Sequence, residues 1–151
     1  MSKAKLKFDK LDGNKLKIGI VCARWNAEFC EALLASCRQA LVDSQVREEN
    51  IKIIRVPGSY ELVYGAARLI KSEKVDAVVC IGTLIKGETM HFEYIAEAVS
   101  YGIMKLNVET GKPVIFGVLT CLNMEQVCAR STGENNHGYD WGRTAVEMAL
   151  L

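Results

Sequence analysis

His91 closes the run Gly82-Thr83-Leu84-Ile85-Lys86-Gly87-Glu88-Thr89-Met90-His91, a glycine-bearing turn that leads into a helical pattern. Backbone N–H groups at such a turn attract an anion. An imidazole beside them both takes and gives a proton near pH 7. Gly82, Gly87 and Thr89 imitate a nucleotide-binding loop, but Glu88 follows the second glycine where a triphosphate requires lysine. A monophosphate held at Gly87–Thr89 remains compatible, and so does an ordinary strand-to-helix turn. Catalytic and capping roles for His91 are evenly matched on these residues alone. Trp25 either stacks on a flat heterocycle or covers the core. Glu61 either favours a helix dipole or accepts hydrogen bonds from hydroxyls. Arg130 either stabilises a helix C-terminus or pairs with a phosphate, and Phe116 is by default a core residue. With His91 and His137 the only histidines, and no carboxylates clustered around them, no catalytic metal is expected.

The elements that must position these residues show in the apolar pattern. Four β-branched-rich runs, Lys17–Ala23, Ile51–Val56, Val75–Gly82 and Val114–Thr120, are nearly continuous in hydrophobicity, as parallel strands covered on both faces require. After Asn26, a good N-cap, Phe29, Leu33, Leu34, Cys37 and Leu41 form one helical face. Further helices are predicted from Tyr60 to Ser72, from His91 to before Gly111, from Asn123 to Ser131, and from about Tyr139 to the C-terminus. Gly111 and Pro113 mark the return to the fourth strand. This alternation predicts an α/β fold: a single three-layer α-β-α domain around a four-stranded parallel sheet in flavodoxin-like order. Its ligands bind beyond the C-terminal strand ends. The loops there are Arg24–Asn26, Pro57–Glu61, Thr83–Glu93 and the segment from Cys121 onward.

Composition narrows the function classes. The chain has 151 residues, 19 basic and 18 acidic, and a net charge of +1, which gives no electrostatic grip on nucleic acid or an anionic membrane. Lys3, Lys5, Lys7, Lys10, Lys15 and Lys17 bunch at the start and read as a solvated arm over residues 1–16, ahead of the domain at 17–151. The arm resembles neither a signal peptide nor a transit peptide, and no apolar run is long enough to span a bilayer. The 6 cysteines include no Cys-x-x-Cys pair, so free thiols and a reducing, cytoplasmic compartment are expected. The residues by themselves stop at an α/β domain for a small phosphorylated or aromatic ligand.

Six segments in order carry a resemblance to the lumazine synthase family, from about Lys17 to Leu150. They are Ala23-Arg24-Trp25-Asn26, Val56-Pro57-Gly58-Ser59-Tyr60-Glu61-Leu62, Ile81 to Gly87, Thr89 to Tyr94, Pro113 to Gly117, and Val146 to Ala149. Arg24-Trp25-Asn26 and the Asn136–Gly142 segment are similar to fungal members. The resemblance implies condensation of 5-amino-6-(ribitylamino)uracil with 3,4-dihydroxy-2-butanone 4-phosphate, giving 6,7-dimethyl-8-ribityllumazine, phosphate and water, without a cofactor. It implies that Trp25 stacks on the pyrimidine, and that Ser59, Tyr60 and Glu61 line the ribityl and ring site. Thr83, Leu84 and Ile85 would present backbone groups to the uracil edge, and Glu88, Thr89 and Arg130 would hold phosphate. His91 would move protons, and Phe116 would close over the ring from a neighbouring subunit of a homopentamer. The arm over residues 1–16, with Leu6 and Phe8 alternating, would pair with a neighbour's sheet. The alternative on the same scaffold is a catalytically weak flavin- or lumazine-binding protein. His91, Arg130 and the Thr89-x-His91 spacing favour the enzyme.

Overall fold

The computed structural model describes residues 4–151; Lys3 of the lysine-rich start lies outside them. Strands β1 (Ile18–Ala23), β2 (Ile51–Val56), β3 (Ala77–Ile85) and β4 (Val114–Cys121) form one parallel sheet in the order β2-β1-β3-β4. This is the expected flavodoxin-like order. Every residue of β1 is buried, as are the first seven of β3, which explains the near-continuous apolar runs of the two central strands.

Helices α1 (Ala27–Asp43), α4 (Met124–Ser131) and α5 (Gly138–Ala149) cover one face, and α2 (Leu62–Glu73) and α3 (His91–Thr110) the other. Phe29, Leu33, Leu34, Cys37 and Leu41 are the buried stripe of α1, as their spacing predicts. Each large side chain buried from that stripe contributes about 1.5–3 kcal/mol. The helix α5 lies against α1 closely enough that a Cβ on Gly138 would meet the Leu33 carbonyl oxygen at 2.2 Å. Only glycine permits that approach. Cys22, Cys30, Cys37, Cys80 and Cys121 are buried free thiols, and Cys128 is exposed. Burial pushes Cys37 and Cys80 up to about 12, so both are small hydrophobes at neutral pH.

Beyond a residue or two at the strand starts, two boundaries and one cap differ from expectation. β3 does not stop at Gly82 but runs on to Ile85, because β4 extends to Cys121 and pairs with it throughout. Gly82 is there for a close approach: a Cβ would lie 2.4 Å from Ser59 Oγ. The second helix begins as a 3-10 turn over Ser59–Glu61 before becoming α-helical at Leu62. Asn26 occupies the N-cap position of α1 but does not cap it. Its backbone is left-handed, φ 59°, which turns the side chain away from the first helical N–H groups. The true side-chain cap is at Asn123, whose Oδ1 accepts from Gln126 N at 3.0 Å at the start of α4.

Candidate active site

The sheet order reverses between β1 and β3, and a cleft of about 790 Å³ opens at their C-terminal ends, where such sheets bind ligands. Trp25, Ser59, Tyr60, Glu61, Thr83, Leu84, Ile85, Thr89 and His91 all line it. Sequence reasoning had separated these residues over four segments; the fold gathers them.

Each is placed by a local cause. Trp25 follows β1 directly and is 75% exposed, so its ring is not part of the core. Its backbone is held by a hydrogen bond from its N–H to Pro57 O at 2.9 Å. Asn26 Nδ2 donates to Thr83 O at 2.8 Å and thereby ties the Trp25 turn to β3. Glu61 reaches back to the start of its turn: its Oε2 accepts from Gly58 N at 2.9 Å, and its other carboxylate oxygen has no partner among the described residues.

The exposed edge of β3 comes from the ladder. Arg24 N donates to Val56 O, and Lys86 N donates to Cys121 O at 2.9 Å. Peptide groups alternate sides along a strand, so the even residues of β3 serve β4 and the odd ones serve β1. β1 has pairing only as far as Cys22 opposite Ile81, whereas β3 continues to Ile85. Thr83, 2% exposed, has its carbonyl occupied by Asn26. Leu84 is turned to β4. Ile85 therefore presents an N–H and a C=O together to the space that β1 vacates.

The loop between β3 and α3 is fastened by Lys86, which sequence reasoning did not single out. Its ammonium pairs with Glu93, donates to Thr89 O at 3.2 Å, and sits 5.9 Å over the Phe92 ring. The hydrogen bond from Lys86 holds the Glu93 carboxyl below the usual carboxylate range. Glu88 is exposed, forms no ion pair among the described residues, and does not line the cleft. His91 is the first residue of α3, at the cleft mouth, where Thr89 Oγ1 accepts from its N–H at 3.4 Å. Tyr94 and Ile95, one turn further along α3, also line the cleft. They fall at i+3 and i+4 from His91, the periodicity that could have identified them.

Phe116 and Arg130 are elsewhere. Both line a second depression of about 260 Å³ with Gln126, His137 and Trp141, where the Arg130 guanidinium donates to Gln126 O at 3.0 Å. Phe116 is 38% exposed and so is not the core residue its setting in β4 suggests: β4 is an edge strand, with one margin open. The Trp25 cleft, by contrast, is lined by no lysine or arginine among the described residues.

Residues 15–151 match the family described as 6,7-dimethyl-8-ribityllumazine synthase. The chain is similar to the proteins of that name from Schizosaccharomyces pombe (49% identical, covering 93% of this chain and 90% of the relative) and Pyricularia oryzae (42%, covering 92% and 89%). A bacterial protein of the same name, from Aquifex aeolicus, is 41% identical over 94% of this chain and 93% of its own length. With the family match spanning every residue that lines the cleft, this chain belongs to the 6,7-dimethyl-8-ribityllumazine synthase family.

Proposed function

We propose that the cleft between β1 and β3 condenses 5-amino-6-(ribitylamino)uracil with 3,4-dihydroxy-2-butanone 4-phosphate, releasing phosphate and water. The observation that carries this assignment is the coincidence, in one cleft, of an exposed indole, a free donor–acceptor peptide edge and a histidine at a helix N-terminus. Trp25 offers a flat apolar face for the pyrimidine. The Ile85 peptide offers one donor and one acceptor, the complement of a lactam edge. The unpartnered carboxylate oxygen of Glu61, with Ser59 and Tyr60 beside it, takes ribityl hydroxyls.

The phosphate lies at the start of α3, against the amides of Glu88 and Thr89, where the helix dipole favours an anion. The exposed Glu88 carboxylate stays outside that position. Among the described residues no lysine or arginine lines the cleft, and a cation strengthens the hold on a phosphate dianion, so Arg130 reaches it from an adjacent subunit and Phe116 closes over the ring with it. A site shared in this way fits a homopentamer. The exposed apolar side chains of Tyr101, Met104, Val108 and Leu122, in addition to Phe116, supply a surface for such contact. The free thiols and the absence of a membrane-crossing helix among the described residues fit a cytoplasmic protein.

Both substrates are reactive as they stand, a diamine and a β-phosphorylated ketone. Imine formation, phosphate elimination, ring closure and dehydration need alignment and proton movement, which the cleft and His91 provide. The decisive assay is absorbance-monitored formation of the lumazine from the two substrates by purified protein. Turnover is expected. Folded, assembled protein that gives no product but binds riboflavin tightly would replace this reading with a flavin-binding one.

A further inference from the structure

The segment that follows Arg130 has little reason to hold still. Thr132, Gly133, Glu134 and Asn135 are all exposed, Gly133 has a left-handed backbone (φ 60°), and the only regular structure is a single 3-10 turn. No apolar side chain of that stretch enters the core. Yet the segment sets both where α4 ends, at Arg130 and Ser131, and where α5 begins, at Gly138.

One side chain spans all the parts involved. Asn136 Nδ2 donates to Ser131 O at 2.6 Å, at the end of α4, and to Ala32 O at 3.1 Å, on α1 and 104 positions away in sequence. Its Oδ1 accepts from Gly138 N at 2.8 Å, at the start of α5. The adjoining peptide is fastened to the residue of interest itself, for His137 N donates to Arg130 O at 2.9 Å. A half-buried amide with both donors and its acceptor engaged is a satisfied staple between three helices.

We propose that Asn136 is the positioning residue that sets Arg130 for phosphate. The inference rests on the reading of Arg130 given above. Asn136 touches no substrate. It fixes the last turn of α4 against α1 and α5, and so fixes the backbone from which the guanidinium projects. In a shared site, that places the cation relative to a neighbour's cleft to within a fraction of an ångström, a tolerance on which such alignment depends.

The test is steady-state kinetics of Asn136→Ala and Asn136→Asp on the assembled protein. The aspartate keeps the acceptor for Gly138 and loses both donors, and a carboxylate facing two carbonyl oxygens is no milder than alanine, so the kinetics are read on whichever variant assembles. Both variants should raise KM for the phosphorylated ketone about tenfold with KM for the uracil within about twofold of wild type. Inorganic phosphate should inhibit them about tenfold less well, while the uracil's affinity in calorimetric titration is unchanged. Equal rises in both KM values, or a ketone KM that does not move, would overturn the proposal. Arg130→Ala separates the two levels. If it too leaves the ketone KM unchanged, the phosphate reading of Arg130 is what failed; if it alone raises that KM, only the role of Asn136 is lost.

Discussion

His91 projects from the first turn of α3 at the exposed mouth of the cleft, so replacing it leaves no cavity in the core. His91→Ala should therefore lower kcat about 100-fold or more, the usual worth of a positioned general acid or base, with the melting temperature nearly unchanged. A kcat within a few-fold of wild type would show that another group moves the protons. Trp25 is exposed enough for the same separation of function from stability. Trp25→Ala should weaken uracil binding about tenfold, equivalent to losing about 1.4 kcal/mol of stacking, and calorimetric titration reads this directly. Both residues could be singled out from sequence because each breaks a local rule: a tryptophan at a strand tip, a histidine in a glycine turn. Lys86 broke none. Its hold on Thr89 and Glu93 depends on how the loop folds back, and the seven-residue spacing of Lys86 and Glu93 carries no signal by itself.

Elements bring their own constraints, of which the contact between α1 and α5 is the tightest. In Gly138→Ala the new methyl would meet a backbone oxygen that cannot swing aside. The expected loss is about 2 kcal/mol, or about 6 °C in melting temperature, measured by thermal unfolding. The surface ties between elements respond to acid instead. Glu31 is held below its ordinary value by the Arg55 hydrogen bond, Asp43 by the Tyr139 hydroxyl, and Glu93 by Lys86. A carboxyl depressed in the folded state stabilises it fully above the unfolded value, near pH 4, and ceases to as pH falls through the folded value. The melting temperature should thus drop as pH is lowered from about 5 to 3. In Glu31→Gln, where the bidentate pair with Arg55 is lost, it should start about 2 °C lower at pH 7 and fall less steeply. A parallel pair of curves would show that this ion pair is energetically silent. The helices and strands that carry these groups were legible nearly to the residue, because apolar periodicity is a local property. The end of β3 was not, since Gly82 reads as a stop unless the partner strand β4 is known to continue.

At the scale of the whole molecule, one chain holds two separate depressions, one with an indole, a peptide edge and a histidine, the other with an arginine and a phenylalanine, which under the proposed function are two half-sites. If adjacent subunits complete one another, two impaired variants should repair each other at low ketone concentration. Unfolding and reassembling a mixture of His91→Ala and Arg130→Ala should restore part of the wild-type rate, because some interfaces then pair an intact cleft with an intact arginine. Separate reassembly of either variant is the control, and sedimentation should give five chain masses. A mixture no more active than its components would place both half-sites in a single subunit's reaction.

The sequence by itself determined the parallel α/β architecture, the order of its elements and the candidacy of Trp25, Glu61 and His91, because these follow from local apolar periodicity and side-chain types. Ser59, Tyr60 and Thr83–Ile85 were named only by the family resemblance. Tertiary structure decided the rest: which peptide of β3 stays open, that Asn26 ties rather than caps, and that Arg130 stands apart from the Glu88 and Thr89 it was grouped with. Those outcomes depend on where a neighbouring strand stops and on which margin of the sheet is left uncovered. Both are properties of chain segments distant in sequence, and no spacing within a single segment encodes them.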